Sequence, residues 1–133
     1  MLVKYIGNDE TVTLPDGITE IGKAAFANNY TLKSVEGLEN AGEIEDGAFA
    51  NCVSFENAGL LKNAAYIGKF AFYGCESLST VAVPAGALTY DVGYVFVACS
   101  NLTAYVFGPD YVREYAAANG ITCKIIGDMD IDG

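Results

Sequence analysis

The sequence contains no histidine and no tryptophan, and only three prolines among 133 residues. Without histidine, the commonest general base and the commonest zinc ligand are missing. Ser-His and Cys-His nucleophiles are therefore excluded. Charge is scarce and one-sided: 18% of residues are charged, with 7 Lys and Arg against 17 Asp and Glu, a net charge of −10. Such a surface repels nucleic acid, whose binding needs Lys and Arg to displace counterions from phosphates. Anionic membranes are disfavoured for the same reason. No run of about 18 apolar residues occurs, so membrane insertion is not expected. The opening Met1-Leu-Val-Lys-Tyr-Ile-Gly has neither the basic run nor the apolar stretch of a signal peptide. Any secretion signal is expected to lie outside this chain. No P-loop, Rossmann glycine fingerprint or nucleophile elbow is found. Two-carboxylate chemistry stays formally open.

Hydrophobic residues make up 52% of the chain. That is too apolar for a disordered segment, and the length suits one domain. The hydrophobicity is periodic. Phe26, Phe49, Phe72 and Phe96 lie 23, 23 and 24 residues apart. A small residue precedes each: Ala25, Ala48, Ala71, Val95. Three residues after each comes Asn29, Cys52, Cys75 or Cys99; six after comes Leu32, Phe55, Leu78 or Leu102; nine after comes Val35, Ala58, Val81 or Tyr105. Ile21, Ile44 and Ile67 lie five before the first three anchors. Val92 stands one residue closer to the fourth, so the fourth copy reads as carrying a one-residue deletion.

A period of 20–29 residues is that of leucine-rich repeats. One copy cannot bury its apolar side, so copies stack and each column becomes a ladder along the axis. The expected fold is an α/β-type solenoid: a right-handed superhelix with parallel β-sheet, about four 23-residue repeats, and a C-terminal capping helix plus strand. Repeats are placed at about 11–35, 36–58, 59–82 and 83–107. Residues 2–14 supply an entry strand or cap. Strands are expected at Leu78–Pro84 and Leu102–Gly108, with a weaker one from Phe55 to Leu61. Single helical turns are expected around each Ala-Phe pair. Residues 108–126 form the closing cap: a helix from Pro109 to Asn119 stopped by Gly120, then a strand from Ile121 to Ile126. The leucine-rich-repeat domain is thus 1–126, followed by 127–133.

The segment Ile21-Gly22-Lys-Ala-Ala25-Phe26-Ala-Asn-Asn-Tyr-Thr-Leu32 resembles the BspA-like leucine-rich repeat. So does Ile67-Gly68-Lys-Phe-Ala71-Phe72-Tyr-Gly74-Cys75-Glu-Ser-Leu78. The resemblance covers about residues 5–126. Glu45 in place of glycine, Phe55 in place of leucine and the irregular fourth copy depart from the pattern. The resemblance implies a secreted or cell-surface bacterial protein that binds host or matrix proteins and has no enzymatic activity. Localisation is accordingly expected to be extracellular or at the cell surface.

Several constellations remain. Cys52, Cys75 and Cys99 share a column, so neighbours lie about one strand spacing apart. That distance suits a disulfide or a ladder of buried thiols, of which the ladder is favoured; Cys123 is also expected in the core. Lys23, Asp46 and Lys69 share a column and should place opposite charges one above another. Outward strand positions are expected at Ser34, Glu36, Asn57, Thr80, Ala82, Thr103 and Val106, a weakly polar face that a protein or glycan could approach. Tyr73, Tyr90 and Tyr94 fall near turns as further exposed contacts, while Tyr105 is assigned to the core. Finally, Gly127-Asp128-Met-Asp130-Ile-Asp132-Gly133 has the first six positions of a calcium loop, with Asp128, Asp130 and Asp132 as oxygen ligands. The run resembles the start of a dockerin, and the chain ends before the remaining ligands. It is expected to be empty here and to act as an acidic tail, calcium belonging only to a complete downstream module.

The sequence therefore reads as a non-catalytic extracellular binding or adhesion module, without cofactor, whose partner is an extracellular protein or polysaccharide. The alternative is a structural spacer that holds a neighbouring catalytic or dockerin module on a cohesin-bearing scaffold.

Overall fold

The computed structural model describes residues 1–2, 4–88, 92–107 and 122–125. The chain winds as a parallel-sheet solenoid of about four turns. Each turn is identified below by its anchor, from Phe26 in the first to Phe96 in the fourth. Among the described residues one flank carries β2 (Glu20–Ile21), β4 (Glu43–Ile44) and β6 (Tyr66–Ile67), joined in that order. A second flank carries β1 (Thr11–Thr13) with β3 (Ser34–Glu36), and then β5 (Asn57–Leu60), β7 (Thr80–Pro84), β8 (Thr103–Phe107) and β9 (Thr122–Ile125). Every pairing is parallel, as a coil requires. The closing strand expected at 121–126 is β9, in register with β8. The expected helix at 109–119 lies outside the described residues.

The Ala-Phe segments differ from the single helical turns expected of them. Backbone donors there alternate between two jobs. Ala24, Phe26 and Asn28 donate across to Asp46, Ala48 and Ala50 of the next turn, while Ala25, Ala27 and Asn29 donate locally to Gly22, Ala24 and Phe26. The result is a run of β-turns laddered to the next coil. A helix would have spent all these donors within the turn. The alternation needs left-handed backbone on both sides of the phenylalanine. Ala24, Gly47 and Phe70 have φ of 53°, 64° and 60°, and Asn28, Asn51, Gly74 and Ala98 have 63°, 60°, 70° and 62°. Only the fourth turn makes a helical turn, α1 (Val92–Val95), and there the cross-coil bonds shift: Phe70 donates to Tyr94 and Phe72 to Val95.

The repeated columns point inward. Phe26, Phe49, Phe72 and Phe96 are each 0% exposed. Consecutive ring centroids stand 5.0, 5.1 and 5.4 Å apart, with the planes within 19° of one another. Phe55, which replaces leucine, is a gain rather than a defect. It is fully buried and stacks on Phe49 at 5.0 Å and against Phe72 at 6.2 Å. Ile21, Ile44 and Ile67 form a parallel aliphatic ladder. Among the described residues no polar or charged side chain is buried.

Cys52, Cys75 and Cys99 are free and buried. Each thiol donates to the carbonyl of an anchor phenylalanine, Phe26, Phe49 and Phe72 respectively, at 3.0–3.2 Å. Asn29 performs the same duty at the top of the column, donating to Gly7 at 3.2 Å while its oxygen accepts from the backbone of Thr31 and Leu32. Burial pushes the Cys52 thiol up to about 12, against a smaller pull from the Asn29 backbone and Lys4. The Cys75 thiol is pushed up as well, first by its bond to Cys99 and then by burial. Cys123 lies in β9 across from Ala104; its side chain falls outside what is described.

The register of the fourth turn corrects two sequence expectations. Thr80 pairs with Thr103 and Val81 with Ala104. In the third turn Leu78 lies two residues before Thr80, whereas Leu102 directly precedes Thr103. The residue lost is therefore lost after Leu102, and the spacing before Phe96 is the longer one. A one-residue slip exchanges the two faces of a strand. Val106, expected outside, is fully buried with Ala104, and Tyr105, expected in the core, is half-exposed.

Two outcomes test this core. Phe49→Ala, which removes the ring between Phe26, Phe55 and Phe72, should destabilise by about 3–5 kcal/mol, and Phe96→Leu, at the end of the stack, by about 1.5 kcal/mol or less; urea unfolding measures both. Cys52, Cys75 and Cys99 should resist an aromatic disulfide reagent until the chain unfolds, as read by peptide mass mapping. Because Cys52 holds its proton more tightly folded than unfolded, its contribution is complete below pH 9 and is lost as pH rises towards about 12.

Candidate functional site

The outer face of the second flank carries most of the positions expected from the sequence. Its first column runs Thr11 and Ser34, in register on β1 and β3, then Asn57, Thr80 and Thr103, in register on β5, β7 and β8. These are short hydroxyl or amide residues because the strand edge must alternate, and the inward neighbours Ala58, Val81 and Ala104 fill the core. The sheet brings Asn57, Thr80, Ala82 and Thr103 together on β5, β7 and β8. Ser34 and Glu36 stand apart on β3, because no ladder joins β3 to β5. There, Thr11 and Ser34 hydroxyls lie 3.1 Å apart, and Thr13 donates to Glu36 at 3.0 Å. At β5 the register shifts at Asn57. Its side-chain oxygen accepts from the Gly59 N–H at 2.7 Å, and Gly59 takes φ +70°, so Ala58 is the bulged residue. Val106 drops out of this face, as described above. Asp128, Asp130 and Asp132, together with Tyr90, lie outside the described residues.

The first flank is acidic. Glu20 and Glu43 face outward in register, and Glu45 stands next to them in the column that Gly22 and Gly68 occupy in the neighbouring turns. One carboxylate oxygen from each lies within 4.8 Å of the others. The pKa of the Glu45 carboxyl is raised from its ordinary value, first by desolvation and then by Glu43, Glu20 and Asp46, with Lys23 opposing. An exposed acidic group of this kind is a site of repulsion, and on its own it makes no ion site. Glycine returns at 68 for a steric reason: a Cβ there would come within 2.8 Å of the Asp46 Cα.

The column of Lys23, Asp46 and Lys69 does not pair its charges as expected. Asp46 Oδ1 instead accepts from the Tyr66 hydroxyl at 2.9 Å and from the Lys69 backbone N–H at 3.0 Å. The Lys69 ammonium sits 5.1 Å from the Phe70 ring centroid and 5.5 Å from that of Tyr94. Among the described residues the one ion pair is Lys33 with Glu10, at 3.7 Å and well exposed.

Phe70, Tyr73 and Tyr94 form a cluster that sequence reasoning found only in part. Tyr73 and Tyr94 were expected at the surface and are 39% and 48% exposed; Phe70 joins them at 38%. Phe70 meets Tyr73 edge-on at 5.8 Å and Tyr94 at 6.4 Å. A bulky residue at φ 60° is an outlier, costing on the order of 1–3 kcal/mol. The signal for it was present: the same column holds Ala24 and Gly47.

A family model described as BspA type leucine rich repeat region, in six copies, matches residues 4–121. A crystal structure of a leucine rich cell surface protein from Faecalibacterium prausnitzii A2-165 has a similar fold, with a TM-score of 0.65 and 22% identity over 80% of this chain. The chain spans 34% of the length of that protein. No curated protein matches.

The acidic flank generates one expectation. With its pKa raised in the folded state, Glu45 binds a proton more tightly folded than unfolded, so this group favours folding as pH falls through its titration. Glu45→Gln should raise the thermal midpoint by about 1–2 °C at neutral pH and low salt, and the gain should fade near pH 4 or in about 0.5 M salt. An unchanged midpoint at low salt would show that the three carboxylates do not interact.

Proposed function

This chain belongs to the BspA-type leucine-rich repeat family, and from that premise we propose that it is a non-catalytic binding module displayed outside the cell or on its surface. The reading takes residues 1–126 as one repeat domain, coiled right-handed as parallel crossovers almost always are. Residues 127–133, with Asp128, Asp130 and Asp132, are then read as an acidic tail. The observation that carries the proposal is the outer column of Asn57, Thr80 and Thr103, flanked by Ala82 and backed by a stacked core. Short side chains on paired strands lose little entropy when covered, so they suit contact with an extended surface such as an extracellular protein or a polysaccharide. A solenoid presents such a surface along its whole length. The related bacterial protein bears the description of a cell surface protein, which supports the same location. Among the described residues no helix is long and apolar enough to cross a membrane.

The experiment is a surface-binding assay of the full chain against immobilised extracellular-matrix proteins and polysaccharides, with Thr80→Lys and Thr103→Lys as face variants. Saturable binding that these variants weaken by at least about tenfold supports the proposal. Absence of saturable binding points to the spacer role. Binding that both variants leave unchanged moves the site off this face and overturns the assignment.

A further inference from the structure

We propose that the aromatic notch between the second and third turns binds a neutral sugar residue of a glycan chain. The site is separate from the strand face, and its test does not depend on that reading. Its origin lies in the repeat. Phe70 and Tyr73 stand one rung above Gly47 and Ala50, and the first turn places Ala24 and Ala27 in the same columns. Three turns of one backbone thus carry small residues twice and aromatic rings once. The rings become a wall over a floor of Gly47 and Ala50, with Asp46 and Lys69 at the margins, around an open notch of about 460 Å³.

The chemistry of the margins selects the ligand. Asp46 is held in place by the Tyr66 hydroxyl and the Lys69 N–H, and a carboxylate retains lone pairs after two such bonds. Lys69 supplies an ammonium donor 5.1 Å from the Phe70 ring centroid. One acid and one base leave the notch near neutrality, on a chain of net charge −10. A neutral ligand with an apolar face and a rim of donors and acceptors answers all three features. A pyranose ring is such a ligand: its C–H face packs on the ring wall, and its hydroxyls reach the carboxylate and the ammonium. An external cation would find the Phe70 and Tyr94 rings already facing Lys69. A protein partner would need about 800 Å² of its own, and the acidic flank of Glu20, Glu43 and Glu45 borders the same turns. Because the notch is open on one side, it grips one residue of a longer chain and leaves the rest of that chain outside.

The test is calorimetric titration of the full chain with neutral oligosaccharides of glucose, xylose, mannose and N-acetylglucosamine, with tetramethylammonium chloride as a cationic control. At least one sugar should bind. Phe70→Gly and Tyr73→Ala restore what the second turn carries in those columns, and each should weaken that sugar by about tenfold or more. Lys69→Met, which keeps the stem and removes the charge, should weaken a sugar. Failure of all four sugars to bind, or binding that Tyr73→Ala leaves intact, overturns the proposal. So does tetramethylammonium binding that Lys69→Met strengthens. Should Phe70→Gly not fold, the exposed Tyr73 ring carries the test alone.

Discussion

The distance between one coil and the next governs this structure. Parallel strands lie about 4.8 Å apart, and offset aromatic stacks settle with centroids roughly 4.5–7 Å apart. The two distances agree, so a phenylalanine repeated once per coil finds its own copy at a stacking distance without adjusting the backbone. Phe26, Phe49 and Phe72 show the match, at 5.0 and 5.1 Å with planes 7° and 1° apart. Everything inside the coil obeys the same step. The isoleucine ladder, the thiol column and the cross-coil hydrogen bonds each repeat because the stack does.

Holding that step has a local cost. Hydrogen bonds must run along the solenoid axis, so the Ala-Phe segments give up helical bonding and adopt left-handed conformations on either side of the anchor. Asparagine and glycine take four of these seven positions, as their low cost in that region allows, while alanine takes two and phenylalanine one. The thiols settle the other local problem. Each bends back to an anchor carbonyl, satisfying a buried acceptor with a side chain small and apolar enough for the core. A serine would fill the same role at a greater desolvation cost, which accounts for cysteine recurring in this column.

How much of this was legible in the sequence follows from what a period can report. A period identifies inward columns, so the Phe, Ile and Cys ladders could be read before any coordinates. It also placed Ser34, Glu36, Asn57, Thr80, Ala82 and Thr103 on the outer side. It failed where the count slipped: anchoring on Phe96 assigned Tyr105 to the core and Val106 to the surface, because the lost residue lies beyond Leu102, downstream of the anchor. It failed again at the Ala-Phe segments, where a helical turn and a run of β-turns share the same residues and differ only in where the donors point. The charge column misled for a third reason. Lys69 has two aromatic rings within reach, and stacking columns says nothing of neighbours one position to the side.

The freedom left by the core explains where function can reside. Inward columns tolerate little change: Phe55 replaces leucine only because it finds two rings to meet. Outward columns are freer, although Gly68 cannot accept a Cβ against Asp46. At the glycine of the Ile-Gly pair the second turn substitutes Glu45, and the repulsion that follows stays at the surface. At the left-handed position the third turn substitutes Phe70, in a conformation that glycine would hold without strain. Substitutions that oppose local stability while leaving the core untouched are those that packing does not explain, and strained or repulsive side chains gather at functional surfaces for that reason. Of the two departures, the acidic cluster gains no partner, whereas the phenylalanine gains Tyr73, Tyr94 and Lys69 around it. The departure that assembles neighbours of complementary chemistry is the one the repeat has a reason to keep.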